Sequence, residues 1–172
     1  MESKTYLFQP EKKILKQGFF MTDSDNNVIY EAKMLKQPLI GSMQFNFINH
    51  LTNKEEEHKV GHTVTTTMES GAELLDTFST KSYFKYDGKN IWNYLHKVGI
   101  RIESHLIDRK IGMKYYVTLE GKEMAEITMT SPQGKSIITS RYYFNVKTRE
   151  ENLDLAFLVT FAIARTEQTF YN

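Results

Sequence analysis

Between residues 114 and 147 apolar and polar side chains alternate one for one, the period of a strand with one face buried and the other in water. Tyr115, Val117 and Leu119 fall on one side, and Lys114, Tyr116, Thr118 and Glu120 on the other. After the turn EGK, Ala125, Ile127 and Met129 alternate with Glu126, Thr128 and Thr130. SPQG then offers Pro132 and Gly134 at the second and fourth positions of a β-turn. Beyond it, Ile138, Tyr142, Phe144 and Val146 oppose Thr139, Arg141, Tyr143 and Asn145. This pattern predicts an antiparallel meander.

The front half behaves alike. GFFMT and VIYEAKM flank the turn-forming DSDNN, and Val28, Tyr30, Ala32 and Met34 share a face against Ile29, Glu31 and Lys33. Met43, Phe45 and Phe47 lie together in SMQFNFI, and VGHTVTTTM is rich in β-branched residues. YFKYDGKN ends in the Asp87-Gly88 pair favoured in tight hairpins. The residues after that pair fit a strand or a helix; Ile91, Tyr94, Leu95 and Val98 on one face, with Gly99 as the stop, favour a short helix near 90–98.

One segment breaks the period of two. Ten of the twelve residues 153–164 are apolar, in LDLAFLVTFAIA. As a helix they rise only about 18 Å, against about 30 Å of membrane hydrocarbon, so they do not span. Upstream, TREE has the form of a capping box, with the Thr148 hydroxyl and the Glu151 side chain as reciprocal caps of a helix over about 149–167. Leu153, Leu155, Phe157, Leu158, Val159, Phe161 and Ile163 fall all round that cylinder rather than on a stripe, so the helix must be surrounded by protein. In a chain of amphipathic strands, the wall able to do this is a closed antiparallel β-barrel of about 10–12 strands, wide enough to hold a helix. The fold expected is mainly β, one domain over 1–172, wrapped around a buried C-terminal helix. An aspartate at Phe157 or Leu158 should then abolish soluble folding.

Composition narrows the chemistry. The 172 residues include no cysteine, which removes disulfides, thiolate metal sites and a cysteine nucleophile, and suits a reducing cytoplasm. MESKTYLFQPEKK has no apolar run of signal-peptide length. The expected localisation is cytoplasmic, soluble or peripheral to a membrane, with no transmembrane segment. The near balance of 22 basic and 21 acidic residues argues against a dedicated nucleic-acid binder. The distribution is uneven, however. Residues 50–80 set Lys54 and Lys59 against Glu55, Glu56, Glu57, Glu69, Glu73 and Asp76. Residues 81–114 set Lys81, Lys85, Lys89, Lys97, Arg101, Arg109, Lys110 and Lys114 against Asp87, Glu103 and Asp108. This is either a basic face for an anionic surface or adjacent solvated faces that neutralise each other.

No constellation carries a specific reaction. His58 and His62 have the spacing of a helical zinc pair, but TVTTTM after them predicts a strand, in which they stand about 13 Å apart. DSDNNV starts like a calcium loop, but Val28 stands in place of the glycine and Met34 in place of the bidentate glutamate. A glycine-rich phosphate loop and a nucleophile elbow are absent from the sequence, and no catalytic residue, metal ligand or cofactor is assigned. The one candidate binding cluster is DRKIGMK, where Arg109, Lys110 and Lys114 beside a turn glycine offer cations and backbone amides to a phosphate or carboxylate.

The strand–acidic turn–strand FFMTDSDNNVIYEAKM, the middle DGKNIWNYLHKVGI and above all YYFNVKTREENLDLAFLVTFAIA resemble the tubby C-terminal superfamily, which includes the LURP-one-related and scramblase-like proteins. The resemblance is one of pattern along most of the chain. It implies a closed barrel of about twelve strands around the helix and, as in tubby proteins, phosphoinositide headgroups held by basic side chains outside the barrel. That basic site is not matched here residue by residue, and the cysteine-rich and proline-rich flanks of the scramblases are missing. The function expected is a non-enzymatic binding module that recognises an anionic lipid headgroup, a membrane surface or a protein partner through the barrel exterior. The alternative is a small-molecule-binding protein or hydrolase with a pocket at the barrel rim.

Overall fold

The computed structural model describes residues 2–11, 16–36, 43–63, 83–86, 89–90, 95–108, 112–130 and 143–171. Its strands are β1 (Lys4–Pro10), β2 (Phe19–Thr22), β3 (Val28–Lys36), β4 (Met43–Asn49), β5 (Lys54–Thr63), β6 (Tyr83–Tyr86), β7 (Lys89–Asn90), β8 (Ile100–Asp108), β9 (Gly112–Leu119), β10 (Lys122–Thr130) and β11 (Tyr143–Thr148). A 3-10 turn at Glu150–Asn152 leads into the C-terminal α-helix, Leu153–Tyr171.

The strands form one 11-stranded sheet in the order β7-β6-β5-β4-β3-β2-β1-β11-β10-β9-β8. Two meanders, β1 to β7 and β8 to β11, are thus sewn together where the first and last strands pair antiparallel, from Lys4 opposite Thr148 to Phe8 opposite Phe144. The turns obey local chemistry. Glu120 and Gly121 have φ of 51° and 80° between the paired Leu119 and Lys122, the two positive dihedrals of a type I′ hairpin. In DSDNN, Asp23 Oδ1 accepts from the amides of Asn27 and Asp25, each at 2.9 Å, and the bonds from Asn27, its backbone amide first and then its side chain at 3.1 Å, hold the carboxyl below the usual range. The carboxylate that resembled a calcium ligand is engaged by its own turn.

Among the described residues the expected faces hold with one exception; Ile138, Thr139, Arg141 and Tyr142 lie outside them. Tyr30, Ala32, Met34, Tyr115, Val117, Ala125, Ile127, Met129, Phe144 and Val146 are buried. Val28, assigned to the inner face, is 37% exposed while Ile29 is buried, because the pairing shifts register between Met21 and Thr22, opposite Val28.

All six residues 159–164 are at most 3% exposed. At about 100° per residue they cover the full circumference, so protein packs on every side of the helix. Phe157 meets Phe8, Tyr30 and Phe47, and Phe161 meets Phe19, Phe45 and Phe47, at centroid distances from 5.0 to 6.3 Å. The opposite side lies against β10 and β11. Strands β4 and β10 are far apart in the sheet yet touch the same helix, so the sheet curls around it. Thr160 is tolerated in this core because its hydroxyl donates to the Ala156 carbonyl one turn back, at 2.7 Å.

Three expectations are corrected. Among the described residues no pairing joins the edge strands β7 and β8, so the sheet is curled but not closed into a barrel. Burying a helix requires side chains around it, not an unbroken hydrogen-bond ladder. The capping box does not form either. Thr148 is the last residue of β11, its hydroxyl donates to the Met124 carbonyl at 2.8 Å, and the N-cap of the 3-10 turn is Arg149, without a side-chain cap bond. Glu151 pairs with Arg149 at 3.7 Å instead. Finally, the helical reading of 90–98 fails at Asn90, which belongs to β7, and holds at 95–97, closed by Gly99 at φ 94°; Ile91 and Tyr94 lie outside the described residues.

Candidate functional site

Of the three cations chosen from the sequence, Arg109 and Lys110 lie outside the described residues. Lys114 stands on β9 with Nζ 2.8 Å from Glu126 Oε1 and 5.2 Å from the centre of the Tyr116 ring. The bond to Glu126 raises its pKa, and both side chains are about one quarter exposed. Its charge is met from within the sheet. His58 and His62 both lie on strand β5, the conformation that separates them.

A concave site lies elsewhere, where the start of the C-terminal helix meets β3, β4 and the β4–β5 turn. Tyr30 and Asn49 are directly opposite in the β3–β4 ladder. The first turn of the helix brings Asp154 onto this pair. The Tyr30 hydroxyl donates to Asp154 Oδ1, and the Asn49 amide nitrogen donates to the same oxygen at 3.1 Å and to the Tyr30 oxygen at 3.0 Å. The Asn49 side chain is fixed from its other end: its carbonyl oxygen accepts from the amides of Leu51 at 2.9 Å and Thr52 at 3.2 Å. Burial, and then the bond to Asp154, push the Tyr30 phenol well above its usual pKa. Tyr30 therefore stays protonated and acts as a donor.

Around this triad opens a cavity of about 510 Å³. Phe47, Phe157, Leu155 and Leu158 supply apolar wall; Thr52, Lys54 and Glu56 form the polar rim. Lys54 Nζ is 2.8 Å from Glu56 Oε1, which raises the lysine pKa. Leu155 and Leu158 are only half-buried, unlike the next turn of the same helix. A volume of this size, with a mostly apolar wall and a few convergent polar groups, has the character of a small-molecule site.

Sequence reasoning did not find this cleft, although two signals were present. A tyrosine on an inward strand face requires a partner for its hydroxyl. Asp154 is one of only two polar residues among residues 153–164, and it stands on the first turn. What could not be read was that residues 124 positions apart would satisfy each other.

Compared with known proteins, the chain matches no family model, no curated protein and no solved structure.

Proposed function

We propose that the protein is a non-enzymatic binding module whose ligand is a small molecule seated in the rim cleft. The observation that carries this reading is a cavity of about 510 Å³ in which an apolar floor meets a hydrogen-bonded carboxylate. Binding rather than turnover is favoured because the two donors at the triad are both committed to Asp154, and the phenol of Tyr30 is too weak an acid to serve as a ready base. The second reading, an anionic lipid headgroup or membrane surface on the outer face of the sheet, rests on the basic residues Arg109, Lys110 and Lys114. The pairing of Lys114 with Glu126 weighs against it. The tubby-like resemblance is kept as a proposal, supported by a sheet that curls around a C-terminal helix enclosed on all sides over residues 159–164. A cytoplasmic location, peripheral to a membrane in the second reading, is kept as a proposal with which the cysteine-free sequence is compatible.

Titration of labelled protein with 1-octanol, followed by amide NMR, tests the cleft. Chemical-shift changes should centre on Tyr30, Asn49 and Leu155, and Leu158→Trp should remove them by filling the apolar half. Changes centred elsewhere, or none, would sink the reading. Co-sedimentation with phosphatidylserine vesicles over a salt series tests the exterior: salt-sensitive binding that survives Leu158→Trp would restore the lipid reading in its place.

A further inference from the structure

Resting on the cleft reading, we propose that the ligand is an organic cation, an ammonium group carrying an apolar body. Charge is the first argument. Glu150 and Glu151, in the turn before the helix, each have a cation beside them, Lys4 at 3.2 Å and Arg149 at 3.7 Å. Asp154 differs from both: among the described residues its hydrogen bonds come from the neutral donors Tyr30 and Asn49, and Lys54, which is bonded to Glu56, acts on it only through space. Among the described residues the formally charged ones lining the cleft are Lys54, Glu56 and Asp154, one more acid than base, and Lys54 is bonded to Glu56. The helix N-terminus opposes this with about half a positive charge, less than the full charge of the carboxylate it carries.

Hydrogen-bond direction points the same way. The hydroxyl of Tyr30 and the amide of Asn49 both aim at Asp154 Oδ1, while the carbonyl of Asn49 is held by the Leu51 and Thr52 amides. An incoming anion would find these donors spent and a carboxylate in front of it. An incoming cation finds Oδ2, which receives no hydrogen bond from the described residues. Of the three aromatic rings lining the cleft, Tyr30 and Phe157 are buried and stack on each other at 5.0 Å and 24°, so Phe47, half-buried and standing across Phe157 at 6.3 Å and 84°, is the ring with surface left for a ligand. An aromatic ring near a carboxylate suits a quaternary alkylammonium, whose charge is attracted by the ring and whose weak hydration makes desolvation cheap. Leu155 and Leu158 offer the surface for its hydrocarbon body.

Calorimetry at low salt with three probes of equal chain length decides the matter: octyltrimethylammonium, 1-octanol and octanoate. The cation should bind roughly tenfold more tightly than the alcohol, with octanoate weakest. Asp154→Asn should bring the affinity for the cation down to that for the alcohol, both measured on the same variant. Equal affinities, or octanoate ahead, would overturn the cation assignment and leave the cleft reading standing. Failure of all three to bind would overturn both. The order of the three probes on unaltered protein stands as the test even if the Asp154 variant does not fold.

Discussion

The first turn and the middle of the C-terminal helix are close neighbours along the chain and live in different worlds. At the start, Leu155 and Leu158 are half-buried and Asp154 reaches out to a phenol and an amide on neighbouring strands. In the middle, each side chain from 159 to 164 is enclosed, and the one polar group among them turns back onto its own helix. Apolar sequence runs through both regions. The difference is where the sheet stops covering the helix, and that edge is what makes a cleft.

The largest effect that would break the comparison is a charge in the middle. Val159→Asp should give no soluble, cooperatively unfolding protein, because a carboxylate would stand at a position with no exposed surface. Leu158→Asp, at the cleft, should keep a cooperative transition in urea and lose about 1–2 kcal/mol. This separates two substitutions that the sequence treats alike; equal insolubility of both would mean that the cleft is no opening.

Phe161→Ala should cost about 3–5 kcal/mol in the same urea measurement, since the surrounding rings cannot collapse into the space. Thr148→Val should cost about 1–3 kcal/mol by leaving the Met124 carbonyl without its bond; no loss would mean that this hydroxyl does not lock the strand end.

At the cleft the effect depends on pH. The folded state holds the Tyr30 phenol protonated more firmly than the unfolded chain does. Stability from this source is fully present below the unfolded value of about 10 and is lost as pH rises beyond it toward the higher folded value. Thermal unfolding monitored upward from pH 9 should therefore show an alkaline decline that is shallower in Tyr30→Phe. Identical slopes would contradict the buried, Asp154-bonded phenol. The smallest effect belongs to the outer face: Lys114→Met should leave the urea midpoint almost unchanged, as an ion pair open to solvent contributes little.

Much of the fold was legible because strand faces and helix faces are written in local periodicity. The inward set of β9, β10 and β11 comes from alternation alone, and the enclosure of residues 159–164 comes from the lack of any polar stripe. Where legibility failed, a tertiary choice competed with a good local motif. Thr148 and Glu151 spell a capping box, yet Thr148 is drawn into β11 by its bond to Met124 and by its pairing with Lys4. Val28 fits its alternation, but a register shift against β2 turns it outward. Lys114 looks like part of a basic cluster until Glu126, twelve residues on across the β9–β10 hairpin, takes its charge.

By itself, then, the sequence determined that this chain makes amphipathic strands and one helix too short to cross a membrane and too apolar to face water. Those are properties of neighbours along the chain, set by side-chain size, polarity and period. Only the tertiary structure decided that the sheet stays open among the described residues, and that Tyr30, Asn49 and Asp154 share one oxygen. Such meetings depend on register and curvature, which are settled when distant segments pack against each other.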